Sequence, residues 1–174
     1  MLQNNRLRLR APEPEDLDLL YAWENDTSIW EEGITHSSFS RFALREFLAN
    51  TKFDIYEDKS TRFMITLCEN ETTVGCLDLF DFDIHNQKIE LAVLIDPAFQ
   101  RKGIAYESID LLLEYTFAFL QIRQIYVYVS ENNEKSIALF HKLGFQESGK
   151  LKQWKKTING YADVFVFQKL NEQK

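Results

Sequence analysis

The stretch Ile89-Glu90-Leu91-Ala92-Val93-Leu94-Ile95-Asp96-Pro97-Ala98-Phe99-Gln100-Arg101-Lys102-Gly103-Ile104-Ala105 decides the fold. Its period of two predicts a strand over 89–95, with Ile89, Leu91, Val93 and Ile95 on one face. Glu90, Ala92 and Leu94 share the other, so a single carboxylate stands on an otherwise apolar surface. Pro97 ends the strand, and Gly103 opens a long helix whose buried stripe is expected through Ala105, Ile109, Leu112, Thr116 and Phe119. The first N–H groups of a helix have no carbonyl partner within it, and the aligned peptide dipoles place partial positive charge there. Segment 100–105 is therefore a seat for an anion such as a diphosphate, to which Arg101 and Lys102 add charge and Gly103 allows close approach.

Working outward, Leu7 and Leu9 alternate with Arg6, Arg8 and Arg10 and predict a half-buried first strand. Pro14, Glu15 and Asp16 suit the first turn of a helix carrying Leu17, Leu20 and Tyr21 on one face. Residues 26–40 read as loop, and a second helix is predicted over 41–50. A meander of antiparallel strands follows: Phe63 to Leu67, Val74 to Phe82 and Ile89 to Ile95. Beyond the Gly103 helix, Gln124 to Val129 reads as a strand. A helix from Asn133 stops at Gly144 in a left-handed conformation, and Phe145 begins another strand. Asn159-Gly160 predicts a closing hairpin with a type I′ turn. The order is β-α-α-β-β-β-α-β-α-β-β: an α+β fold with a mixed sheet. Neither GxGxxG nor GxxxxGK with Ser or Thr is present, which excludes the dinucleotide-binding unit and the P-loop.

The chain has 174 residues, enough for one domain with a buried core, and no composition shift divides it, so a single domain over 1–174 is expected. Its net charge of −7 argues against nucleic acid and for a cationic partner. Met1-Leu2-Gln3-Asn4-Asn5 shows no basic segment leading into an apolar run, and no stretch is long and apolar enough to span a bilayer. A cytoplasmic protein without a membrane partner is expected. Cys68 and Cys76 read as reduced core thiols. His36, His85 and His141 lack ligand spacing, so no metal is expected.

Three segments together carry a family likeness. Ile95-Asp96-Pro97 leads into Gln100-Arg101-Lys102-Gly103-Ile104-Ala105, and Asn133-Glu134-Lys135-Ser136 and Leu143-Gly144-Phe145 follow at the next helix and its end. The chain thereby resembles the GNAT superfamily of acetyl-CoA-dependent N-acetyltransferases, matching its Q/R-x-x-G-x-G/A with Ala105 in the last place. Trp30-Glu31-Glu32, Asp83-Ile84-His85 before Ile89-Glu90, and Ile158-Asn159-Gly160 make it similar to bacterial spermidine/spermine N-acetyltransferases. Ribosomal-protein N-terminal acetyltransferases share much of the outline.

The resemblance implies a mostly antiparallel central sheet of about seven strands flanked by helices. It implies that backbone N–H groups of 101–105 cradle the diphosphate of coenzyme A and that Val93, Leu94 and Ile95 hydrogen-bond its pantetheine arm. Gln100, Arg101, Lys102, Gly103, Ile104, Ala105, Tyr106 and Asn133 complete the expected cofactor contacts. It places Glu90 in the acceptor pocket, with Glu31, Glu32, Asp78 and Asp81 as further acidic contacts to a small cationic amine. It also implies a homo-oligomer.

The expected chemistry is direct attack of a primary amine on acetyl-CoA in a ternary complex, with a polyamine such as spermidine as acceptor. An alkylammonium has a pKa near ~10.4, so Glu90 is the expected base or base relay. The N–H of Leu94 is the expected donor to the developing oxyanion. One departure stands out: many relatives carry a tyrosine where this chain has Phe140, which donates no proton to the leaving thiolate. Tyr106 and Tyr161 are candidate replacements, and departure as a thiolate is the alternative. Acceptors other than a polyamine, namely a protein α-amine or an aminoglycoside, and an acyl-CoA-binding sensor without turnover, stay open at the level of sequence.

Overall fold

The computed structural model describes residues 2–30, 37–52 and 54–172. Seven strands form one sheet: β1 (Leu7–Arg10), β2 (Thr61–Leu67), β3 (Thr73–Asp83), β4 (Lys88–Ile95), β5 (Gln124–Ser130), β6 (Gln146–Thr157) and β7 (Gly160–Leu170). They lie in the order β1-β2-β3-β4-β5-β7-β6. All neighbours are antiparallel except β4 and β5, which run parallel because the connection between them crosses over through a helix. The mixed, mostly antiparallel sheet expected from the sequence is thus observed.

The period-two pattern of the strands divides the apolar residues between two layers. On one face, Leu7, Leu9, Phe63, Ile65, Leu77, Leu79, Ile89, Leu91, Ile125, Val127 and Phe167 are buried under α4 (Ile104–Glu114) and α5 (Glu134–Lys142). On the other, Met64 and Cys76 pack with Leu20 and Trp23 of α1 (Leu17–Glu24) and Leu44 of α3 (Arg41–Asn50). Ser40 caps α3 by accepting the Ala43 N–H at 3.0 Å. Gly75 is required by packing: a Cβ there would lie 2.3 Å from the Leu94 carbonyl oxygen, so β3 and β4 can approach closely only at a glycine.

Three local expectations are corrected. The segment predicted as loop over 26–40 contains a further short helix, α2 (Thr27–Trp30), begun where Asp26 accepts the Ser28 N–H at 2.9 Å. Phe119 is 62% exposed rather than part of the buried stripe. The helix widens into a π turn over Tyr115–Phe119, which rotates Phe119 off the 3.6-residue stripe and stacks it on Tyr115 at 5.5 Å. The last hairpin turns at Ile158 and Asn159, between paired Thr157 and Gly160, and neither turn residue has positive φ. Gly160, at φ 128°, takes up the strain instead, so the turn is not type I′. Gly144 does end α5 at φ 77°, as its position predicts.

Candidate active site

The sheet opens between its two parallel strands. β4 and β5 pair only at Lys88↔Gln124, Ile89↔Ile125 and Glu90↔Tyr126, and beyond Glu90 no pairing joins them among the described residues. β4 continues to Ile95 along β3, and β5 continues to Ser130 along β7. The result is a fork in which the facing main-chain edges of the two arms are not paired with each other.

Hydrogen-bond alternation decides which groups of β4 face that fork. The Asp96 N–H donates to the Val74 carbonyl at 2.9 Å, so even-numbered residues of this strand turn their main-chain groups to β3. The odd-numbered ones turn theirs to the fork, consistent with the Gln87 carbonyl accepting from Arg123 and Gln124. Of the residues expected to contact a pantetheine arm, Val93 and Ile95 therefore present main-chain groups to the fork. Leu94 pairs with Cys76 and presents its side chain to the face of the sheet that holds α1 and α3. The N–H expected at Leu94 is directed at β3, because a shift of one residue along a strand reverses the direction of its amides.

At the end of β4 the chain makes a short helical turn, Pro97–Phe99, in which Asp96 accepts the Ala98 N–H at 2.9 Å. Trp23, buried on α1, donates its indole N–H to the other Asp96 oxygen at 3.0 Å and so fixes the turn against the sheet. Gln100 donates its side-chain amide to the Ile95 carbonyl at 3.1 Å. Lys102 donates to the Ala98 carbonyl at 3.2 Å and lies over the Phe99 ring at 4.9 Å. Arg101 has φ 60° and Gly103 φ 78°, two successive departures from ordinary backbone with one residue between them.

Gly103 is the residue preceding α4, and no side chain caps the first turn formed by Ile104, Ala105 and Tyr106. A Cβ at Gly103 would meet nothing nearer than 3.9 Å, so the concavity in front of these amides is open. Glu107 would oppose an anion here, but Arg6 neutralises it with an ion pair at 2.5 Å. The second Arg6 nitrogen donates to the Lys102 carbonyl at 2.9 Å. Arg6 reads from sequence only as part of a strand pattern, and only the fold brings it to residue 107. Uncapped amides at a helix start beside a bare strand edge fit a diphosphate on an extended amide-bearing arm.

Glu90 stands at the apex of the fork, half-buried, with Phe80 opposite on β3 and Tyr126 opposite on β5. Burial, with a smaller contribution from the Asp81 charge, pushes its carboxyl up to about 7. Asp81 is exposed at a bulge of β3, with φ 53°, where the β3–β4 register shifts. Asp78 lies on the same face as Glu90 but is engaged: both its oxygens accept from Arg62, at 2.6 and 3.0 Å, and Arg62 also pairs with Glu24 at 2.9 Å. Glu31 and Glu32 lie outside the described residues.

Asn133 precedes α5 and accepts the Ser136 N–H at 3.0 Å. Phe140 is buried, 5.2 Å from the Phe145 ring and 6.4 Å from that of Phe167. Tyr106 is half-buried with Lys142 over its ring at 4.6 Å. Tyr161 is 65% exposed and pairs with Lys156 near the hairpin end, past the last β5 pairing of Ser130 with Val164. The Cys76 thiol, buried, is pushed up to about 12 and is no nucleophile. Among the described residues no group of His, Cys, Asp and Glu is arranged to hold a metal ion, and no helix is long and apolar enough to cross a membrane.

A bare strand edge, an uncapped helix start at Gly103 and a half-buried glutamate thus meet at one fork. Residues 6–146 match the acetyltransferase (GNAT) domain family, and the chain belongs to that family of acetyl-CoA-dependent N-acetyltransferases. It is similar to a spermidine N(1)-acetyltransferase of Vibrio cholerae, 30% identical over 165 residues, covering 92% of this chain and 91% of that protein. A crystal structure of spermidine N-acetyltransferase from Vibrio cholerae in complex with CoA and spermine superimposes with a TM-score of 0.88 at 27% identity, covering 97% of each chain. A dodecameric structure of spermidine N-acetyltransferase from that organism, in an intermediate state, gives a TM-score of 0.82 at 26% identity, over 97% of this chain and 95% of that one.

Proposed function

We propose that this protein transfers the acetyl group of acetyl-CoA to a primary amine of a polyamine such as spermidine, by direct attack in a ternary complex. The observation that carries this is Glu90, a carboxyl raised to about 7 at the apex of the fork. A base is most effective when its pKa lies near the working pH, and the acceptor must lose a proton held near pKa ~10.4. Placing the ammonium against a half-buried carboxylate both attracts it and gives the proton a destination. Similarity to spermidine N-acetyltransferases supports the polyamine as acceptor.

Bound acetyl-CoA supplies the activated acyl carbon. The residues that hold it in this reading are Val93 and Ile95 through the main chain of the fork, and the amides of residues 101–105 at the helix start. Gln100, Arg101, Lys102 and Tyr106 flank that seat, and Asn133 borders the β5 arm from the start of α5. The N–H of Val93, rather than that of Leu94, points into the fork and is the donor that polarises the acyl carbonyl. Phe140 donates nothing, and coenzyme A departs as a thiolate, which its thiol pKa near ~8.5 tolerates. Asp81 adds its charge beside Glu90, and Glu31 and Glu32 contact the distal ammonium groups, while Asp78 supports the fold through Arg62. The working form is a homo-oligomer, for which the dodecameric relative gives the support, and its place is the cytoplasm.

The test is thiol release from acetyl-CoA with a panel of amines. Turnover with spermidine or spermine is expected. Turnover restricted to peptide α-amines or aminoglycosides would refute the polyamine, and tight acetyl-CoA binding without turnover on any amine would refute the transferase reading.

A further inference from the structure

Glu90 is flanked across both neighbouring strands by aromatic rings. Phe80 is its partner on β3 and Tyr126 its partner on β5, and paired residues of adjacent strands project from the same face of the sheet. Tyr128, two residues further along β5, lies on that face too, its ring 5.7 Å from Tyr126 at 80°. β5 has no β4 neighbour at this point, so Tyr128 is 43% exposed at the mouth of the fork. The opposite face of β5 is occupied: Ile125, Val127 and Val129 are buried in the main core. Tyr126 and Tyr128 are therefore not packing residues of that core, and they border a carboxylate on one side and open space on the other.

We propose that Phe80, Tyr126 and Tyr128 with Glu90 and Asp81 form an aromatic box that selects a primary alkylammonium on a methylene chain and holds it at the fork. This rests on the transferase reading for its catalytic consequence, though not for the binding itself. Ring faces attract a cation through their quadrupole and also offer apolar surface to the methylenes beside it. A carboxylate supplies the opposite charge. An aminoglycoside would set hydroxyls against those faces and leave them without partners. A peptide α-amine has a carbonyl one carbon away that the box does not serve. Burial and the neighbouring acidic groups, Glu90 foremost among them, push the Tyr126 hydroxyl up to about 12, so that ring stays a neutral phenol beside the cation.

The experiment uses the full chain saturated with coenzyme A and titrated by calorimetry with 1,8-diaminooctane, alongside steady-state rates with the same diamine and acetyl-CoA. Tyr126→Leu and Tyr128→Leu are each expected to weaken diamine binding by about 3- to 30-fold, the range of an exposed to a desolvated cation–π contact. KM should rise by more than kcat falls, and coenzyme A affinity should be unchanged. Tyr128→Phe should stay within about twofold of the parent, and Tyr128→Trp should match or exceed it, because the indole face is the strongest of the three. A merely structural role would show no such Leu, Phe, Trp ranking. The box is overturned if the Leu variants bind the diamine as the parent does, if Phe fails together with Leu, or if the parent does not bind the diamine. Acetyl transfer with Leu variants that bind like the parent refutes the box and leaves the transferase reading intact. Diamine binding that follows the ranking, without transfer to any amine, does the reverse.

Discussion

The two arms of the fork are built from different materials. The side proposed for the coenzyme is main chain: the edge of β4 at Val93 and Ile95, and the uncapped amides that follow Gly103. The side proposed for the acceptor is side chains: Glu90 between Phe80 and Tyr126, with Asp81 at a bulge. A main-chain surface tolerates many side chains at each position but depends on backbone conformation. A side-chain surface depends on which residues the fold sets opposite one another. Variants should therefore separate the two arms, with Glu90 and Asp81 governing the acceptor and Gly103 governing the coenzyme.

The largest separation is expected from Glu90→Gln, which should lower kcat by about 10²- to 10⁴-fold, the usual contribution of a positioned base. Coenzyme A affinity measured by calorimetry should not change, and a parallel loss of that affinity would show that the two arms are not independent. Next comes Arg62→Met, which removes the guanidinium from which both oxygens of the partly buried Asp78 carboxylate accept. Breaking such a group should lower stability by about 3–5 kcal/mol in urea unfolding. KM for the amine should hold if Asp78 serves the fold alone, and a fall in KM would show that the released carboxylate reaches the acceptor.

A smaller effect is expected on the other arm. Gly103→Val places a β-branched residue at φ 78°, which costs about 1–2 kcal/mol and is relieved by unwinding the first turn of α4. Coenzyme A binding should weaken by about tenfold, since 1.4 kcal/mol corresponds to that factor. KM for the amine at saturating acetyl-CoA should be unaffected.

The smallest effect concerns pH. Glu90 acts as a base only when ionised, so kcat/KM should fall as pH drops through about 7 in the free enzyme. Asp81→Asn removes the lesser of the two causes of that raised value and should move the acidic limb downward without abolishing it. The same shift has a stability consequence. The folded state prefers the neutral carboxyl, so its contribution is full below the usual value of 4.5 and is lost as pH rises through about 7.

Legibility in the sequence followed the same division. The strand over 89–95 and the helix start at Gly103 could be read because periodicity, a strand-ending proline and a glycine before an apolar stripe are local signals. Their placement matched to within a residue or two. Glu90 was legible as one carboxylate on an apolar face. Asp78 reads as a further acidic contact in the same pocket, since nothing near it in the sequence announces Arg62, sixteen residues away, or Glu24 on α1. The π turn at Tyr115–Phe119 and the turn at Ile158–Asn159 escaped for a related reason: each is settled by packing or strain over several residues rather than by a turn signature.

By itself the sequence determined the order of the strands along the chain, the two-faced pattern of each strand and the helix start at Gly103, because all three depend on neighbours within a few positions. Tertiary structure alone decided where β4 leaves β5, which main-chain groups thereby face the fork, that Arg6 neutralises Glu107, and that Phe80 and Tyr126 stand opposite Glu90. Those relations join residues far apart in the chain. They are fixed by strand register, which sets hydrogen-bond direction and side-chain face together and is chosen by the packing of the whole sheet.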